Sequence, residues 1–296
     1  MPYQNLMLTL CLATDDGPFS PRPLTLSEWC YLKSILLSKN IPPKTLFDKN
    51  EEELCALLGC SRHFGKQMAS LFSRRVPLEY SLAHFEAQNI TLLTYEHPAF
   101  PLALKSKLGA QCPPILCAKG DLSLLQTEKI GLVSSRLVSE DDQAFVFAVL
   151  PSVVRRHKTL VMGGISGMMG SIREKIKTLH GKFIVVMGNS LSQTSGHQPP
   201  RLTDPAGGLI LSLPPFGKGS FEERAILRNL ILMSLSEAAL VVKAEDGKGS
   251  TFLSAEQSIT KELCPIHCQR VNHYGGNTKL IHLGATPTTV KNFFLS

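Results

Sequence analysis

Residues 158–190 read KTLVMGGISGMMGSIREKIKTLHGKFIVVMGNS. Thr159–Met162 is a short apolar run that ends in the glycine-rich turn GGISGMMG; a helical stretch follows, and then a second apolar run, Phe183–Met187, ends in GNS. A strand with one face in water alternates polar and apolar residues. These runs do not alternate, so both of their faces are covered, as in a parallel sheet flanked by helices.

The same unit recurs on either side. Ile130–Val133 precedes SSR, Leu209–Leu211 precedes SLPPFGKGS, and Ala239–Val242 precedes KAEDGKGST. Together these units predict a doubly wound α/β domain over residues 89–296. Ligands of such open sheets lie outside the carboxyl ends of the strands, near the point where strand order reverses. Each of these turns stands at such an end. Helix N-termini there offer unpaired N–H groups and a positive dipole, which makes a phosphorylated ligand the default.

Two nucleotide fingerprints fail. GGISGMMG lacks the GxGxxG spacing, and no acidic residue is clearly placed at the end of the next strand to hold a ribose. GKGST resembles the end of a P-loop, but the earlier glycine of that motif falls at Val242. No cofactor is therefore assigned. No catalytic residue is assigned either: GxSxG, HExxH and EF-hand patterns are absent. Glu245 and Asp246 are the only carboxylates close to a glycine-rich strand-end turn.

Residues 1–88 have another texture, with short helical patterns joined by tight turns. Thr25 or Ser27 can cap a helix through Trp29, Leu32, Ile35 and Leu36, and Asn50 can cap Glu51–Leu58, which Gly59 ends. A third pattern, Ser61–Arg74, carries Phe64, Met68, Leu71 and Phe72. The stretch LLGCSRHFGKQMASLF has the texture of helix-hairpin-helix and SAM-like units, with a packing role as plausible as a DNA clamp.

The chain has 296 residues, 43% of them hydrophobic, and a formal charge of +7, compatible with a polyanion partner without proving one. Its eight cysteines form no CxxC pair and read as buried, reduced thiols. Cys264, His267, Cys268 and His273 come nearest to a metal set, but Cys264–Arg270 reads as a strand, where those offsets do not share a face. No metal is assigned. No run reaches the ~18 apolar residues of a membrane span, and Leu6–Ala13 lacks the basic lead-in of a signal peptide. A cytoplasmic protein is expected.

Thr94–Leu125, TYEHPAFPLALKSKLGAQCPPILCAKGDLSLL, resembles the opening segment of the DprA/Smf family in Tyr95/Pro98, Leu104-Lys105, Pro113-Pro114, the short strand Ile115–Ala118 and Gly120-Asp121-Leu122. The resemblance continues in order through GLVSSR, FEERAILRNLILMSLS and the closing GGNTKLIHLGA (Gly275–Ala285). It implies a Rossmann-like domain that binds single-stranded DNA in a basic pocket, forms homodimers and recruits a RecA-type recombinase. Departures accompany it. The family's Asp-containing glycine loop is GGISGMMGSI, Gly-Ser-Arg is Ser134-Ser135-Arg136, and the second Arg of Arg-Asn-Arg is Leu230. Lys243 replaces a Glu, Lys248-Gly249-Ser250-Thr251 replaces Ser-Gly-Ser, and no winged-helix stretch follows Ala285.

Residues and resemblance converge on one set of nucleic-acid contacts: Ser134, Ser135, Arg136, Gly163, Gly164, Ser166, Gly167, Arg228, Asn229, Lys248, Gly249 and Ser250. Arg136 follows a strand end, where its guanidinium can hold a phosphate or pair with Glu140 or Asp141. Arg228 and Asn229 are expected off the buried stripe Leu227, Ile231 and Leu235. The basic turns Arg155–Lys158 and Arg173/Lys175/Lys177 read as solvated faces. The leading expectation is a non-catalytic single-strand binder acting in recombination, DNA uptake or a defence-associated role. A nucleotide hydrolase and a scaffold with a decayed pocket are the alternatives.

Overall fold

The structure, a computed structural model, describes residues 2–13, 20–135, 139–164, 167–188, 207–214, 220–271 and 273–293. Five helices come first: α1 (Pro2–Cys11), α2 (Leu26–Ser38), α3 (Glu51–Leu58), α4 (Arg62–Phe72) and α5 (Arg75–Ala87). Local chemistry starts them where the sequence indicates. Thr25 and Glu28 form a capping box on α2, Asn50 and Glu53 form one on α3, and the Ser61 side chain caps α4. α1 takes up most of the apolar run Leu6–Ala13: Leu6, Met7 and Leu10 are fully buried. Buried Arg74 donates to the Thr9 carbonyl at 2.8 Å and so ties the end of α4 to α1.

The second part runs β1 (Thr91–Thr94), α6 (Leu102–Leu108), β2 (Ile115–Gly120), β3 (Lys129–Val133), α7 (Glu140–Arg155), β4 (Thr159–Gly163), α8 (Met168–Thr178) and β5 (Phe183–Met187). It continues with β6 (Gly208–Ser212), α9 (Phe221–Leu235), β7 (Ala238–Val241), α10 (Gly249–Thr260), β8 (Ile266–Gln269), α11 (Gly275–His282) and β9 (Thr286–Thr288). The strands form a nine-stranded sheet in the order β1-β2-β6-β5-β4-β3-β7-β8-β9. From β6 to β9 every pairing is parallel; β1 and β2 add an antiparallel flank. The chain winds outward from β3 to β6, then returns beside β3 with β7 and winds the other way. The reversal of strand order therefore lies between β3 and β7.

Period-two alternation distributes the strand residues to two cores. Leu160, Met162, Val185 and Leu240 pack with Val146, Val149 and Val153 of α7 and with Ile172 and Ile176 of α8. Val161, Ile184, Val186 and Val241 pack on the other face with Leu230–Leu235 of α9, in a cluster that runs on into the N-terminal helices. A polar tie reinforces that continuity: Trp29 Nε1 donates to Glu96 at 3.0 Å, and Lys33 pairs with the same carboxylate at 2.7 Å. Among the described residues no helix is long and apolar enough to cross a membrane, and no group of three or more His, Cys, Asp or Glu residues is placed to hold a metal.

Candidate nucleic-acid interface

At the reversal point, β3 and β7 stay bonded past their ends. Val242 N–H donates to the Val133 carbonyl at 3.0 Å, and Ser135 N–H to the Lys243 carbonyl at 2.8 Å. Ser134 and Ser135 thus stand at the mouth of the crevice. Their hydroxyl oxygens are buried and have no hydrogen-bond partner among the described residues. A buried hydroxyl without a partner is costly, so this pair is suited to a ligand or water that supplies one. Arg136 and Ser166 lie outside the described residues.

The neighbouring strand end is built around Arg228. A Cβ at Gly163 would stand 3.0 Å from Arg228 Nε, so the glycine lets the guanidinium lie against the end of β4 without crowding. Arg228 Nε and Nη2 both donate to Asn229 Oδ1, at 3.1 and 2.9 Å. Asn229 Nδ2 in turn donates to the Ser250 carbonyl at 3.2 Å and to Ser254 Oγ at 3.1 Å, in the first turns of α10. Gly163, Arg228, Asn229 and Ser250 therefore form one connected set across the strand ends. Asn229 corrects an expectation: it is not off the buried stripe but 1% exposed, because the carboxyl-terminal half of α9 is buried nearly all round. Its amide orients Arg228 and anchors α10. Leu230, the position of the family's second Arg, is likewise buried.

The helix N-termini at this edge are not equivalent, which also corrects the expectation that all of them offer free N–H groups. α7 is closed by a capping box of Ser139 and Asp142, and α9 by one of Ser220 and Glu223. Asp142 is buried and accepts from Tyr274 Oη at 2.7 Å. Burial raises the Tyr274 phenol above its ordinary value, and this bond adds to the rise. α11 begins under its own chain, since a Cβ at Gly276 would stand 2.4 Å from the Ala244 carbonyl. α8 starts at Gly167 with neither a side-chain cap nor an acidic residue in its first turn. α10 starts at Lys248 and Gly249 without a cap bond, although the Glu245 carboxylate lies within 4 Å of where a Gly249 Cβ would stand.

Lys248 is exposed and Gly249 and Ser250 are partly so. Lys243 stands 4.9 Å over the Tyr274 ring. Asp246 pairs with Lys279 at 2.7 Å, and both it and Glu245 are exposed. Sequence reasoning passed over Arg224. Its Nε donates to the Gly188 carbonyl at 2.8 Å and its Nη2 to the Pro214 carbonyl at 3.3 Å, closing the ends of β5 and β6, while burial lowers its ordinary pKa. Phe221, the first residue of α9, is 61% exposed. Lys158 sits at the opposite end of the strands and pairs with Glu128 and Glu237, both at 2.6 Å.

Residues 91–296 match the family model described as DNA recombination-mediator protein A. The chain belongs to this family. It is 27% identical over 210 residues to the DNA processing protein DprA of Bacillus subtilis, covering 69% of this chain and 70% of that one. It is 25% identical over 228 residues to the protein Smf of Synechocystis, covering 74% of this chain and 56% of that one. The DNA processing protein A of Streptococcus pneumoniae superposes with a TM-score of 0.67 at 20% identity, over 98% of this chain and 95% of its own. That of Helicobacter pylori, solved for its single-stranded DNA binding mode, gives 0.55 at 20% identity, over 69% and 93%. The family's Rossmann-like α/β fold is present.

Proposed function

We propose that this protein binds single-stranded DNA across the carboxyl ends of β4, β3 and β7 without altering it chemically, as a recombination mediator. One observation carries the reading: Arg228, held by Asn229 against Gly163, links the end of β4 to the uncapped start of α10. An oriented guanidinium at a strand end, tied to a helix N-terminus, suits phosphodiesters. Ser134, Ser135, Gly164, Gly167, Lys248 and Gly249 extend that surface, and the sequence adds Arg136 and Ser166. Phe221 supplies an exposed ring on which a base can stack.

Family membership supports this reading, as does the single-stranded DNA binding of the Helicobacter pylori relative. The homodimer and the RecA-type recombinase partner belong to the same proposal and rest on family membership alone, as does a specialised or defence-associated variant of the role. The nucleotide-hydrolase alternative is disfavoured at two points. The α7 terminus, where a small nucleotide's phosphate would sit beside the crevice, holds buried Asp142 instead. Glu245 and Asp246 face solvent, with Asp246 in an ion pair, so neither occupies a desolvated cleft that would tune it as a general acid or base.

Fluorescence anisotropy with labelled single-stranded and duplex oligonucleotides over a salt series tests the proposal. Preference for the single strand is expected, with a log–log slope of about −0.7 per phosphate neutralised. Absence of binding at low salt returns the chain to the decayed-scaffold reading. Turnover of ATP, NAD or nucleoside monophosphates that is lost in Glu245→Ala/Asp246→Ala moves it to the hydrolases.

A further inference from the structure

Five of the eight cysteines, Cys11, Cys112, Cys117, Cys264 and Cys268, are buried. Burial pushes the thiols of Cys112, Cys117 and Cys268 up to about 12 and that of Cys264 to about 11. Because the thiolate is the reactive form, these groups are inert near neutral pH. Cys30 is exposed, which departs from the expectation of buried thiols throughout.

Cys55 and Cys60 are placed differently. Both are half-buried, and they flank Gly59, which ends α3 in the left-handed region at φ 68° and donates its N–H to the Cys55 carbonyl at 2.8 Å. A helix stop of this kind brings the side chain of the last turn against the one just past the glycine. Cys55 and Cys60 hold those two positions, and burial, together with the adjoining Cys55 thiol, raises the Cys60 thiol above its ordinary value. Cys55 Sγ also lies 3.8 Å from the Ser61 carbonyl. α4 passes so close that a Cβ at Gly65 would stand 2.3 Å from the sulfur. The Cys55 thiol is therefore fixed between two helices beside the residue that leads into α4.

We propose that Cys55 and Cys60 are a dithiol that a peroxide converts to an internal disulfide, stapling the end of α3 to the start of α4. Two S–H bonds break and one S–S bond forms; the peroxide is reduced, and with hydrogen peroxide the products are the disulfide and two waters. A thiol reductant reverses the step by exchange. The staple acts on the helical module and is independent of the strand-end edge, so it stands or falls apart from DNA binding.

The test treats the full-length protein with increasing hydrogen peroxide, then denatures it, alkylates it with iodoacetamide and digests it with trypsin. Both sulfurs fall in one tryptic peptide, residues 50–62. This peptide is expected to lose two hydrogens and escape alkylation before the exposed Cys30 is consumed, and dithiothreitol is expected to restore both alkylation sites. In Cys60→Ser the loss of two hydrogens should disappear. Double alkylation of the peptide after Cys30 has been consumed overturns the proposal, as does the same oxidised mass in Cys60→Ser.

Discussion

The starts of α7 and α8 follow adjacent strands of one sheet, yet they have opposite electrostatic fates. α7 carries Glu140, Asp141 and Asp142 in its first turn and closes its amides with Ser139 and a buried carboxylate. α8 has no acidic residue there and no cap. A helix N-terminus attracts negative charge in either case. Where the chain supplies that charge itself, the terminus is structural; where it does not, the terminus is where we propose that the ligand sits. α9 resembles α7 in this respect. α10 stands between the two types, uncapped but approached by Glu245.

The contrast is broken most forcefully at Asp142. Asp142→Ala leaves the Tyr274 hydroxyl and the Ser139 amide without their acceptor and should cost about 2–3 kcal/mol of stability. Denaturant unfolding reads that loss, while the affinity of the surviving folded protein for single-stranded DNA should hold. At the ligand side, Arg228→Ala should weaken single-strand binding about tenfold, or about 1.4 kcal/mol. The salt slope should also flatten by about 0.7 for one lost phosphate contact. An Arg228→Ala protein with an unchanged slope would make that guanidinium structural.

A third own-charge terminus extends the contrast to pH. Hydrogen bonds from Arg22, and then from the Thr25 amide and hydroxyl, pull Glu28 at the start of α2 from 4.5 down to about 2. A carboxylate depressed in the folded state stabilises above its unfolded value and loses that contribution as pH falls through its folded one. The stability gap between the wild type and Glu28→Gln should therefore be full above about pH 4.5 and close towards about pH 2. Acid titration of both proteins in urea measures it. The smallest effect is expected at α10, where Glu245→Gln removes a competing anion. Single-strand affinity should rise about two- to threefold at low salt, and screening should erase the gain at high salt.

The sheet was legible because unalternating runs such as Ile130–Val133 and Phe183–Met187 leave little choice but burial on both faces. The capped helices were legible because Thr25 and Asn50 act locally. α1 was not assigned, since Leu6, Met7 and Leu10 look alike in a leader and in a core helix until α4 is packed against them. Asn229 was misplaced because helical spacing measures one face, whereas α9 is covered by the sheet and also by α10. The difference between α7 and α8 was written in EDDQ and MMGS. Its meaning depends on Tyr274, more than a hundred residues away, reaching Asp142.

Hydrogen–deuterium exchange of the full-length protein with and without saturating oligo(dT) tests the central claim most directly. The account predicts protection at Gly167–Ser171 and Gly249–Phe252, with the first turns of α7 (Glu140–Gln143) and α9 (Phe221–Arg224) unchanged. Protection confined to the α7 and α9 turns, with α8 and α10 exchanging as in the free protein, would contradict it.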